Sequence, residues 1–209
     1  AADWSKATAD LGRIYHIESI TFKNHGCCGH TFAAIDGLMV LMASHGIDAD
    51  DIASITIATY GPAVAITDRV DPTTPQECKF SMQYVVAHAA CFGSVRIEAF
   101  TADHINNPRV RAMLPLISVT TDPEIDAAFP AQRAARVTLT TKNGDSVSLF
   151  QPTRKGDPDM PLSDAELDAK FTELTAPVLG VKPTAALLGD LWQLDTITVR
   201  AGLANATTN

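Results

Sequence analysis

The 209 residues are 46% apolar and 19% charged, the balance of an ordinary globular protein and not of a disordered one. A formal net charge of −8 argues against nucleic-acid or membrane-surface partners, so any bound anion needs a local cluster of basic groups. No apolar run approaches the roughly 20 residues of a membrane span, and four cysteines without paired spacing read as reduced thiols in a cytoplasm.

Trp4, Ala7, Leu11 and Ile14 recur at spacings of three and four, which predicts a short amphipathic helix over 3–15. It is too isolated to own a core. The stretch 21–37, TFKNHGCCGHTFAAIDG, then packs Lys23, His25, Cys27, Cys28 and His30 into eight residues interrupted by Gly26 and Gly29. A helical pattern follows over 31–45, with Phe32, Ile35, Leu38, Met39 and Met42 as its stripe and Gly46 as its stop. A Gly-punctuated loop feeding a helix N-terminus offers free N–H groups and the positive end of a dipole, which favour a carboxylate or phosphate. The chemistry is expected here.

SITIATY at 54–60 is β-branched and reads as a strand, and the Pro- and Thr-rich stretch 61–76 reads as a loop. A helix is predicted over 78–92, stopped by Gly93. A short one over 108–114 is capped by Asn107 with Pro108 behind it, and a strand follows at 117–121. Residues 136–150, RVTLTTKNGDSVSLF, alternate on both sides of Asn143-Gly144, the pair that suits a type I′ hairpin turn. Beyond a polar loop at 151–160, Ser163 and Glu166 form a capping box for a helix whose inner face is Leu167, Phe171 and Leu174. A last helix over 184–194 presents Leu187, Leu188, Leu191 and Trp192. The whole reads as an α+β two-layer sandwich, an antiparallel sheet with helices on one face, flanked by terminal helices that want a partner.

Four segments carry a resemblance: FKNHGCCGHTFAAID at 22–36, ECKFSMQYVVAHA at 77–89, INNPRVRAML at 105–114, and GDPDMPLSDAELDAKF at 156–171. In this order they resemble the MmgE/PrpD family, which includes 2-methylcitrate dehydratase, cis-aconitate decarboxylase and iminodisuccinate epimerase. The last segment is similar to that family's G-x-P-x-x-P-L-S-x-x-E-L-x-x-K-F signature. Only the C-terminal half of such proteins is represented. The resemblance implies that 1–18 belongs to a helical domain, that 19–160 is an α+β lid, that 161–200 packs on the helical domain, and that 201–209 is a tail. It also implies an N-terminal helical half, supplied by a companion chain or by the rest of a longer polypeptide, and a homo-oligomer, a homodimer being the expectation. The activity implied is that of a hydro-lyase on a small di- or tricarboxylate. The alternatives are an epimerase, isomerase or decarboxylase of the same family, or a non-catalytic lid subunit. The family loop reads K-x-Y-P-x-C-R-x-x-H-x-x-x-D, and Lys23, Cys28 and Asp36 match it. Gly26 stands for its proline, Gly29 for its arginine and Phe32 for its histidine, with His30 two positions earlier.

Breaking a bond beside a carboxylate requires cationic anchors and an acid/base pair that titrates near neutrality. Lys23 fits as carboxylate anchor or proton carrier, against a solvated surface lysine. His30 fits as acid, base or carboxylate donor, against a capping histidine. His25 reads as a loop histidine facing water. Cys28 lines the pocket or is a small buried hydrophobe, and Lys79 and Ser81 either meet substrate or begin a helix. Adjacent cysteines point apart and no C-x-x-C pair or phosphate-binding glycine motif occurs, so neither a metal nor another cofactor is expected.

Overall fold

Alternation at period two builds the sheet. In the computed structural model, which describes residues 3–196, α1 (Phe32–His45) precedes β1 (Ile52–Thr59). The short helices α2 (Gly61–Thr67) and α3 (Pro75–Lys79) lead to α4 (Met82–Phe92), followed by α5 (Ala102–Ile105) and α6 (Pro108–Met113). Then come β2 (Ile117–Thr121), α7 (Pro123–Ala128) and the hairpin β3 (Ala135–Thr141) and β4 (Ser146–Gln151). A hairpin of α8 (Asp164–Leu179) and α9 (Val181–Leu191) closes the described chain. The described residues divide into two compact units, 3–161 and 162–196, and the expected tail at 201–209 lies outside them.

The sheet order is β2-β1-β3-β4. Ile55, Ile57, Val137 and Leu139 are fully buried on one face, where α1 packs on β3 and β4 and α4 packs on β2. The opposite face carries hydroxyls, with Ser118 bonded to Thr56 and Thr138 to Ser148. The α+β sandwich expected from the sequence is the fold found. One pairing corrects the all-antiparallel expectation: β1 and β2 run parallel, because the long α2–α6 connection returns the chain to the same end of the sheet. At Gly37 a Cβ would sit 3.0 Å from Val137 Cγ2, so the missing side chain lets α1 lie close on β3.

Three local readings change. The 3–15 pattern yields only the 3₁₀ turn Trp4–Lys6 followed by further turns, and Trp4 and Leu11 stay 80% and 74% exposed. A helix that short is marginal without a packed face. Residues 61–67 are helical and not loop, since Pro62 suits a first turn and Ala63 and Thr67 are buried. The hairpin turn is not type I′: Gly144 has φ +90° while, among the described residues, no non-glycine residue has positive φ. Thr141 N–H donates to Asp145 and Gly144 N–H to Thr141, a three-residue loop with glycine at its left-handed position.

The α8–α9 unit shows the predicted capping box, Ser163 Oγ accepting from Glu166 N and Glu166 accepting from Ser163 N at 2.8 Å. Trp192 Nε1 donates to Asp168 at 2.7 Å and joins the two helices. Ser163→Ala should lower the stability of this unit by about 1 kcal/mol, read as an earlier thermal midpoint for its helical signal.

Candidate functional site

One end of the sheet gathers the polar groups. The C-terminal ends of β1, β2 and β4 and the start of β3 all lie there, because β4 runs parallel to β1 and β3 runs against both. Tyr60 follows β1, Phe129 follows α7, Arg133 precedes β3 and Arg154 follows β4. The 3₁₀ turn Gly29–Thr31 at the mouth of α1 brings His30 to the same place.

His30 Nδ1 lies 2.8 Å from the Tyr60 hydroxyl, with the two rings edge to face. Phe129 stacks on Tyr60 at 4.6 Å and carries the Arg133 guanidinium 6.0 Å above its own ring. Burial lowers the proton affinity of His30, and the positive charges of Arg133 and Arg154 lower it further. Burial pushes the Tyr60 phenol up to about 12, so it stays protonated at neutral pH. A neutral imidazole bonded to a neutral phenol is the result.

Arg154 is 8% exposed. Its Nε and Nη2 donate to the two oxygens of Asp157 at 2.8 and 2.6 Å, and Nη2 also donates to Thr21 Oγ1. Burial alone would raise the Asp157 carboxyl, but the bonds from Arg154 and Thr21 outweigh it and hold the group below its ordinary range. Thr21, Arg133, Thr153, Arg154, Asp157 and Asp159 line an open cleft of about 770 Å³. Arg133 and Arg154 therefore line the cleft and also act electrostatically on the imidazole. Among the described residues no three His, Cys, Asp or Glu side chains group as a metal site would require.

The description of the MmgE/PrpD C-terminal domain matches residues 25–192, most of the chain. The chain belongs to the MmgE/PrpD family. It is similar to 2-methylcitrate dehydratase of Cupriavidus necator, 29% identical over 142 residues. That match covers 65% of this chain and 29% of the relative, so the chain spans under a third of the protein it resembles. His30, Tyr60, Arg133 and Arg154 all fall inside the family match, and Lys23 lies two residues before it.

Of the residues singled out by sequence, His30 and Cys28 stand together in this domain, since the Cys28 thiol is near enough to bear on the Tyr60 phenol. Lys23 is exposed on the same loop and acts electrostatically on Cys27, whose thiol burial pushes up to about 12. Lys79 reaches the loop through its backbone, its carbonyl accepting the Cys28 N–H, while its ammonium sits 5.4 Å over Phe100. Ser81 is fully buried: its hydroxyl accepts from Tyr84 N as the cap of α4 and donates to the Arg69 carbonyl. His25 does not face water. It is 5% exposed, with Nε2 2.9 Å from Asp36 and its ring edge-on to Phe32, because the Asp36 carboxylate inside the domain needs a partner.

Tyr60, Phe129, Arg133 and Arg154 were not legible as site residues. Arg154 stands two residues before the GDPDMPLS segment of the family signature, a usable signal. Tyr60 looked like the end of a strand. Arg133 carries no local pattern at all.

Proposed function

We propose that this chain is the C-terminal part of a lyase that dehydrates a small di- or tricarboxylate. The observation that carries this reading is the His30–Tyr60 pair, kept neutral beside two arginines at the edge of a polar cleft. With Nδ1–H donating to the Tyr60 oxygen, the Nε2 lone pair is left to take a carbon-bound proton next to a carboxylate. The C–H electron pair becomes the new double bond, and hydroxide departs from the neighbouring carbon as water once an acid protonates it. Lys23 is the proposed acid or second carboxylate anchor.

Arg133 is the proposed first anchor. Among the described residues no carboxylate pairs with it, and its charge rests on the Phe129 face. Arg154 contributes its field, its own donors being taken up largely by Asp157 and Thr21. The family match to a C-terminal domain and the 29% coverage of the dehydratase support a helical N-terminal half that completes the site. The exposed Trp4, Leu11 and Ile17 support an apolar partner surface for that half or for a second copy. The four free thiols support a reducing compartment, in keeping with a cytoplasmic enzyme.

The test is to offer the assembled protein 2-methylcitrate and to follow water loss by product mass and by alkene absorbance. A product of unchanged mass would replace dehydration with epimerisation, and no reaction would favour the non-catalytic lid. Arg133→Gln should weaken binding of the substrate roughly ten- to a hundredfold, the worth of a hydrogen bond to a charged group. Lys23→Ala gives the same comparison for the second anchor. Unchanged affinity removes the anchor role from whichever residue was replaced.

A further inference from the structure

The loop that carries His30 and the loop that carries Arg154 are 124 positions apart in sequence, counting from 30 to 154, yet one buried carboxylate touches both. Asp36, on the second turn of α1, is 8% exposed. Its Oδ1 meets His25 Nε2 at 2.9 Å, and its Oδ2 accepts the backbone N–H of Lys155 at 2.8 Å. His25 lies in the same loop as His30, and Lys155 is bonded to Arg154 through the chain. A second strap runs alongside, Phe22 N–H donating to Gly156 O at 2.8 Å, and a third joins Arg154 Nη1 to the Gly29 carbonyl at 3.5 Å.

We propose that Asp36 is a positioning residue that clamps the arginine loop against the histidine loop and so fixes the separation between the Arg154 guanidinium and the His30 imidazole. The geometry suits that task. A carboxylate with one oxygen committed to each loop cannot release either without leaving a buried acceptor short of a donor. The groups that bear on His30 are Tyr60 from the end of β1, the Phe129 ring after α7, and the charges of Arg133 ahead of β3 and Arg154 after β4. Of the two arginines, only Arg154 belongs to a loop that Asp36 holds. Loosening the clamp lets a positive charge move away from the imidazole and makes its protonation easier.

The inference rests on the reading of His30 as the proton-transfer group, and it is tested without turnover so that the two can fail separately. The carbon-bound ring protons of His30 are titrated by NMR in the full 209-residue chain, with Asp36→Asn, Arg154→Gln and the double variant beside it. Asp36→Asn should raise the His30 midpoint toward 6.5 by about half a unit, roughly a threefold change in proton affinity. Arg154→Gln should raise it at least as far, and the double variant no further than Arg154→Gln alone, because the clamp acts only through that charge. A midpoint unmoved by Asp36→Asn, or by Arg154→Gln, or additive shifts in the double variant, would overturn the clamp. If Asp36→Asn does not fold, the wild-type chain still decides the matter: the Lys155 amide should exchange with solvent far more slowly than its exposed neighbours, and rapid exchange would sink the proposal.

Discussion

His30→Gln should lower the proposed dehydration by the assembled protein roughly 10²- to 10⁴-fold, the usual contribution of a positioned acid or base, and leave substrate affinity within a fewfold of wild type. Gln fills similar space and keeps a hydrogen bond to Tyr60, but it cannot accept a proton. The pH profile carries an independent sign. Burial and the two arginines hold the folded His30 below its ordinary 6.5, so the neutral base persists to more acidic pH than a free histidine. The acid limb of kcat/KM should therefore lie below 6.5, and it should move toward 6.5 in Arg133→Gln. Folding stability follows the same direction. The unfolded chain binds more protons between the two midpoints, so the contribution of a neutral His30 is present above 6.5 and fades as pH falls through the folded midpoint. His88, also lowered by burial, adds to that loss of stability. It lies outside the cleft, bonded to the Ser94 carbonyl and His104, and should leave the turnover limb unmoved. Turnover that survives in His30→Gln would remove the histidine from the chemistry.

Gly156→Ala should be the most damaging single methyl in the first unit. The residue sits at φ +98°, and a Cβ there would run into the Phe22 carbonyl oxygen, a backbone atom that cannot swing aside. Backbone in such a region costs a side chain about 1–3 kcal/mol before any clash is counted. The clash also pushes apart the Phe22–Gly156 bond that docks the arginine loop on the segment leading to His30. A thermal midpoint lowered by several degrees is expected, at about 2–4 °C per kcal/mol for a domain of this size. Gly189→Ala is the control. It lies inside α9 with nothing within 4 Å of the added atom, and alanine should be neutral or raise stability by about 0.5–1 kcal/mol. Equal melting of Gly156→Ala and wild type would show that the close approach is not present.

Local pattern determined a great deal by itself. The stripe of Phe32, Ile35 and Leu38 drew α1, and the alternation through Val137, Leu139, Val147 and Leu149 drew the hairpin, because burial on one face imposes a period on the sequence. Asn107 and Ser163 announced their helices through side chains that cap the next turn. The loop around His30 was visible as a dense run of titratable groups, and its family followed from four ordered segments. What lay beyond reach was set by distance in the chain. The partner of His30 is Tyr60, whose sequence neighbours say only that a strand ends. Arg133 and Arg154 become a pair only because β3 begins where β4 ends, at the same edge of the sheet. His25 reads as a loop histidine facing water and Asp36 as a match to the family loop, and only folding buries each against the other. The parallel pairing of β1 with β2 was hidden for the same reason: a strand's period shows which face is buried, while the direction of its neighbour is chosen by the connection between them.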